Sequence, residues 1–284
     1  NLTMPDVVES VHRDYLQAGA DIVITNTFGG SRLKLQEYHL EKQVKEINRR
    51  AIEIARAACV KAGHGQVAAS LGPTGHFVSP VGDTSFDEMY AIYREQADAI
   101  ATAQPDYFLL ETFSDLGEIR AALLACLDAG ERKIPVICSM TYTNGRTLTG
   151  VSPAVAAVTL EAMGAAVIGC NCSGGPDELQ QVVAELARYT ELPLVVQPNA
   201  GLPFLVDGKV QYPLKAKEFA EAMQRFLPYE VAFMGGCCGT TPQHIACLKE
   251  SVQNHVLQRR QVEPLGRLSC REFIVEIGGN TLPK

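Results

Sequence analysis

Several absences narrow the field before any motif is read. No stretch of the 284 residues approaches the ~18 unbroken apolar positions of a membrane-spanning helix. Basic residues are not in surplus: 25 Lys and Arg against 32 Asp and Glu leave a formal net charge of −7. That balance argues against a nucleic-acid surface and is too ordinary to imply a cationic substrate. No G-x-G-x-x-G follows a strand-like run, which removes the usual support for a dinucleotide-binding sheet. No H-E-x-x-H and no C-x-x-C is present, so the common zinc-hydrolase and thioredoxin-like signatures are missing. No secretory leader is visible, and nine cysteines is an odd number, so a reduced, cytoplasmic compartment is expected.

What is present is a repeated alternation of strand and helix. Apolar, β-branched runs read as buried parallel strands at 21–25, 66–71, 106–110, 134–140, 166–169, 192–196 and 230–234. Amphipathic stretches fall near 5–18, 40–62, 86–103, 115–129, 153–163, 176–189, 215–227 and 242–254. Ser85 with Glu88, and Asp115 with Glu118, are spaced as capping boxes. Ser152-Pro153, Gly175-Pro176 and Thr241-Pro242 place a cap residue before a first-turn proline. Seven strands follow a leading helix, and a helix ahead of the first visible strand implies another strand upstream. The expected fold is therefore a (β/α)8 TIM barrel lacking its first strand, the chain being read as truncated at its N-terminus. Residues 1–256 form the expected barrel. Residues 257–284, with one short strand at 272–277, read as a linker toward a following domain.

In such a barrel the chemistry sits at the C-terminal strand ends. Three of the nine cysteines fall there: Cys172, Cys237 and Cys238. Adjacent cysteines on a regular strand point to opposite faces, but Gly235-Gly236 and Gly239 permit a tight turn that aims both sulfurs at one point. The strands carrying Cys172 and the pair lie two apart, hence near neighbours across the mouth. Three thiolates converging suit Zn²⁺, and three protein ligands leave a fourth position open. Thiolates blunt the Lewis acidity needed to activate water and favour a substrate thiol as fourth ligand, which points to alkyl transfer onto a bound thiol. A thiol-redox pair or a metal-storage site on the same scaffold is the alternative from another class. Cys170 is expected to pack in the core rather than to ligate.

Other strand-end residues suit a small amino-acid thiol. Glu111 ends an apolar strand and is expected to hold a substrate ammonium. Asn199 is expected to lend its carbonyl oxygen to the open zinc position before substrate arrives. Asn26 and Thr27 are expected to donate hydrogen bonds to a carboxylate.

These residues resemble a known family. Gly169-Cys170-Asn171-Cys172 together with Gly235-Gly236-Cys237-Cys238-Gly239-Thr240-Thr241-Pro242 is similar to the zinc signature of the homocysteine S-methyltransferase family. Asn26-Thr27-Phe28-Gly29, Gly72-Pro73-Thr74-Gly75 and Pro198-Asn199-Ala200-Gly201 extend the likeness over roughly residues 1–256. Within the family the motifs look most like the homocysteine-binding module of larger cobalamin-dependent members. The ending Gly278-Gly279-Asn280-Thr281-Leu282-Pro283-Lys284 resembles their linker into a folate-binding barrel. The resemblance implies zinc on the three cysteines, homocysteine as the thiol, methionine as product, and Glu111 on the substrate amino group. It also implies methylcobalamin on a separate module as methyl donor, with folate-binding and cobalamin-binding modules as partners. A standalone enzyme using S-methylmethionine or betaine is the alternative inside the family. The chain departs from the family in two places: its first strand with an Asp-Gly motif is not seen, and Cys170 stands where an aliphatic residue is common.

Overall fold

The computed structural model describes residues 1–262 and 266–277, so the closing motif at 278–284 lies outside the described residues. Seven parallel strands form one sheet in the order β1 (Ile22–Ile24), β2 (Gln66–Leu71), β3 (Tyr107–Phe113), β4 (Val136–Met140), β5 (Val167–Cys172), β6 (Leu194–Pro198) and, last, Val231–Met234. Two excursions occur in the later part of the chain. A hairpin after β6 consists of β7 (Phe204–Val206) and β8 (Lys209–Gln211), so Val231–Met234 is β9. Near the C-terminus β10 (Gly266–Ser269) pairs antiparallel with β11 (Ile274–Ile277).

The helices follow the expected order. They are α1 (Pro5–Gln17), α2 (Arg32–Gln36), α3 (Val44–Ala62), α4 (Phe86–Ala101), α5 (Leu116–Ala129), α6 (Pro153–Met163), α7 (Pro176–Tyr189), α8 (Ala216–Met223) and α9 (Pro242–Val252). Ser85 caps α4 with a full box: it accepts from Glu88 N–H at 3.2 Å, while Glu88 accepts from Ser85 N–H at 2.9 Å. The expected box at α5 is only half made. Asp115 accepts from Glu118 N–H at 2.9 Å, but the Glu118 carboxylate turns away to Thr74 and Tyr93. Satisfying buried donors on two other elements outcompetes the local loop back.

The sheet is curled. Laid flat, β3 and β9 would be four strand spacings apart, about 19 Å. Instead the rings of Tyr107 on β3 and Phe233 on β9 meet edge to face at 6.2 Å. Ala68, Leu109, Ile137, Val167 and Val195 fill the interior, with Ile22, Ile24 and Phe233 packed against them. The opposite face carries the larger core against the helices, including Phe108, Leu110, Ile168 and Val196. The helical layer closes further than the strands do: Lys249 on α9 pairs with Asp21 at 2.6 Å, and Tyr15 on α1 donates to Thr240 O at 3.3 Å. Among the described residues β1 and β9 are not hydrogen-bonded to each other, and a cavity of about 1040 Å³ opens between them into the interior. This is the (β/α)8 architecture with seven of its strands.

Gly169 shows how tightly β5 and β6 are set. A Cβ there would lie 1.8 Å from the Val195 carbonyl oxygen. The tail hairpin rests against the barrel through Thr159, whose hydroxyl meets that of Ser269 at 2.8 Å.

Candidate metal centre

Along each interior strand face the apolar layer gives way to a polar one toward the mouth. Two residues beyond Ala68, Leu109, Ile137 and Val195 stand Ser70, Glu111, Ser139 and Gln197, and four beyond Val167 stands Asn171. The site is built on this ring and on the loops that leave it.

Strand alternation alone would set Cys172 on the helix side with Cys170. Cys170 does pack there, fully buried among apolar side chains that push its thiol up. Cys172 takes a different course, because its backbone turns left-handed (φ 56°) and ends the strand. Its sulfur lies with those of Cys237 and Cys238, all within 4.8 Å of one another. Cys237 and Cys238 occupy the turn between β9 and α9, with sulfurs 4.0 Å apart. Gly239, at φ 80°, makes that turn possible, and a Cβ on it would strike the Tyr212 ring at 2.3 Å. The turn is tied to the end of β6 by Cys237 N–H on Pro198 O at 2.8 Å and by Ala200 N–H on Cys238 O at 2.9 Å.

The donor set fits zinc. A tetrahedral ion with sulfur at about 2.3 Å holds its ligands about 3.8 Å apart, close to the spacing here. The thiols also differ in acidity. The Cys237 thiol hydrogen-bonds the Cys172 sulfur and brings Cys172 down to about 6, despite its partial burial. The same bond, then burial, holds the proton on Cys237 and drives it well above the usual thiol range. Of the two, Cys172 is the more acidic, and the shared proton favours Cys237. The other six cysteines stand apart, four of them buried.

Glu111 faces the same space. Its carboxylate accepts from Ser70 Oγ at 2.5 Å, and among the described residues it has no ion-pair partner. Burial raises its carboxyl group, the Ser70 bond opposes this, and the Cys172 charge adds to the rise. A half-buried carboxylate without a cation calls for one. Asn199 is buried and accepts from Cys238 N–H at 3.1 Å, while its side chain also hydrogen-bonds the Cys172 sulfur. Asn26 is exposed at the rim. Thr27 is buried, its hydroxyl donating to Ser70 O at 2.7 Å and paired with Thr25 at 2.6 Å.

Sequence reasoning gave no role to Ser70 or to Asn171, although Asn171 lies inside the quoted motif, and did not single out Tyr212, which neighbours Cys238. Ser70 and Asn171 carried a usable signal, being polar residues on the interior parity of otherwise apolar strands. The signal for Tyr212 lay just upstream, in Asp207-Gly208 after the apolar run Phe204-Leu205-Val206, a turn pair that marks the hairpin delivering it.

Comparison with known proteins agrees with this geometry. A family model described as homocysteine S-methyltransferase matches residues 1–252. The methionine synthase of Mycobacterium tuberculosis (strain ATCC 25618 / H37Rv) is 36% identical over 271 residues, covering 92% of this chain and 23% of that protein. The methionine synthase of Mycobacterium leprae (strain TN) is 37% identical over 255 residues, covering 86% of this chain and 21% of the relative. The chain thus spans less than a quarter of the length of these curated relatives. Among solved structures, the homocysteine methyltransferase MmuM from Escherichia coli in its metallated form superposes with a TM-score of 0.74 at 25% identity, covering 88% of this chain and 85% of that one. Its apo form gives 0.68.

Proposed function

The chain belongs to the homocysteine S-methyltransferase family, and from that premise we propose that it transfers a methyl group to the sulfur of homocysteine, yielding methionine. In this reading Cys172, Cys237 and Cys238 hold a zinc ion. Bound there, zinc supplies the positive charge that keeps a substrate thiol deprotonated at neutral pH, while the sulfur-rich ligand set leaves that thiolate nucleophilic. The S–H proton goes to solvent, the new S–CH3 bond forms, and the bond from methyl to its donor breaks. Methylcobalamin on another module is the proposed donor, with folate-binding and cobalamin-binding modules as partners. Residues 1–256 are the homocysteine-binding unit, and 257–284 lead toward a following module.

The chain's own side chains then have defined tasks. Glu111 receives the substrate ammonium, which supplies the cation its carboxylate lacks. Asn26, exposed at the rim, offers its amide to the substrate carboxylate, and Thr27 holds the turn through Ser70 O. Asn199 braces Cys238. The Asn199 oxygen accepts one backbone N–H, that of Cys238, so a second lone pair would be available to an open ligand position.

The observation that carries the proposal is the convergence of three cysteine sulfurs within 4.8 Å, with a carboxylate nearby that has no ion-pair partner among the described residues. Metal analysis and calorimetry on the intact protein test it. The expected result is about one zinc per chain and proton release when homocysteine binds at neutral pH. Retention of zinc and activity by Cys238→Ser overturns it. Reversible thiol loss on mild oxidation with no substrate-dependent proton release favours the redox alternative. Methylcobalamin, S-methylmethionine and betaine assayed side by side identify the donor.

A further inference from the structure

Asn171 is fully buried between the metal ligand Cys172 and the interior of the sheet. It lies on β5, yet its side chain reaches across β4 to β3. Its Oδ1 accepts from Ser139 Oγ at 2.7 Å and from Thr112 N–H at 2.9 Å, and its Nδ2 donates to Thr112 Oγ1 at 2.8 Å. Thr112 has φ 68°, a left-handed conformation that a β-branched residue almost never adopts unaided. It sits where the β3–β4 register shifts, between Leu110 and Phe113, and Glu111 is the other residue of that irregular step. A bulge of this kind frees a backbone N–H and re-aims a side chain. The Asn171 amide receives the freed N–H and grips the threonine hydroxyl as well.

On its other side Asn171 leads directly into two more left-handed residues, Cys172 at φ 56° and Ser173 at φ 63°. Ser173 Oγ accepts from Tyr142 N–H at 2.9 Å, which anchors this second turn to the end of β4. One buried amide therefore stands between the turn that aims the Glu111 carboxylate and the turn that aims the Cys172 sulfur.

We infer that Asn171 is a positioning residue that sets the separation between the ammonium-binding carboxylate and the metal-binding sulfurs, and thereby selects thiols bearing an amine at the matching distance. The inference rests on the proposed function, but it concerns discrimination rather than chemistry. It acts through Thr112 and Glu111, without touching substrate.

The test measures binding of homocysteine and of 4-mercaptobutanoate, its analogue lacking the amine, to the intact protein loaded with zinc or with cobalt. Absence of metal or of homocysteine binding in the unaltered protein defeats the functional reading itself. Given binding, Asn171→Ala is expected to weaken homocysteine about tenfold to a hundredfold, the loss typical of a misaligned charge-assisted hydrogen bond. Binding of the amine-free thiol, metal stoichiometry and the cobalt thiolate absorption are expected to stay unchanged. In a double-mutant cycle, Asn171→Ala added to Glu111→Gln is expected to cost little more than Glu111→Gln alone. Equal weakening of both thiols, loss of metal, or full additivity with Glu111→Gln overturns the inference.

If Asn171→Ala does not fold, as judged by circular dichroism, Thr112 carries the same test. Thr112→Ser keeps the hydroxyl and should keep discrimination. Thr112→Gly removes the hydroxyl and relaxes the strained backbone, and should lose it. Equal discrimination in these two variants overturns the proposal.

Discussion

Cys172 and Cys237 divide a single proton unequally, and that asymmetry governs how the site takes up metal. Because Cys172 is already ionised above about pH 6, zinc uptake at pH 7 is expected to release fewer than three protons per ion. Affinity should fall as pH is lowered and fall more steeply below about pH 6, where Cys172 must also be stripped of its proton. Calorimetry in buffers of differing ionisation enthalpy counts these protons directly. Glu111 predicts a second pH effect. Its carboxyl group is raised by burial, and only the ionised form pairs with an ammonium. Homocysteine affinity should therefore decline as pH falls through the Glu111 titration, and Glu111→Gln should remove that limb of the profile while leaving zinc content intact.

At the level of elements, the helix starts are set locally and the mouth is set by contacts between elements. Asp115→Ala removes one cap bond from α5 and is expected to cost about 1 kcal/mol. Glu118→Ala should cost more, on the order of 3 kcal/mol, because it strands the buried Thr74 N–H and takes a charged acceptor from Thr74 Oγ1 and Tyr93 OH, leaving Tyr93 only its bond to Gly72 O at 3.1 Å. Thermal unfolding of the two variants side by side tests the ranking. Gly169→Ala is a sharper probe of the β5–β6 pair. Its Cβ would collide with the Val195 backbone, so the strands must part, and Cys172 and Pro198 part with them. Loss of zinc binding together with a large drop in melting temperature is the expected outcome, whereas a near-native variant would contradict the close approach.

Across the whole molecule, the strands do not share one level of protection. β3, β4 and β5 are paired on both sides, while β1 and β9 each present one edge to the cavity between them. Amide exchange should be slowest in β3–β5 and fastest at the outward edges of β1 and β9, by orders of magnitude. Uniform protection across all seven strands would show that the two edges are closed in solution.

Much of this architecture was legible in the sequence. All seven sheet strands overlap the expected runs, β2 residue for residue, because a β-branched buried strand and an amphipathic helix are periodic signals read over a few neighbours. The convergence of Cys172, Cys237 and Cys238 was legible for a related reason: barrel topology alone puts every strand end at one mouth, so residues far apart in sequence can be grouped without coordinates. The short helix α2, the hairpin β7–β8 and the strand β10 were not anticipated. They are brief and largely exposed, so none carries the buried periodicity that marks a sheet strand or a long helix.

Only the folded chain decided which way Cys172 turns, that Glu111 sits in an irregular step, and that Asn171 reaches over β4 to hold Thr112. Each depends on a strained backbone torsion. Such a torsion persists only because distant strands, drawn together by the curl of the sheet, supply hydrogen bonds that no local run of residues can specify.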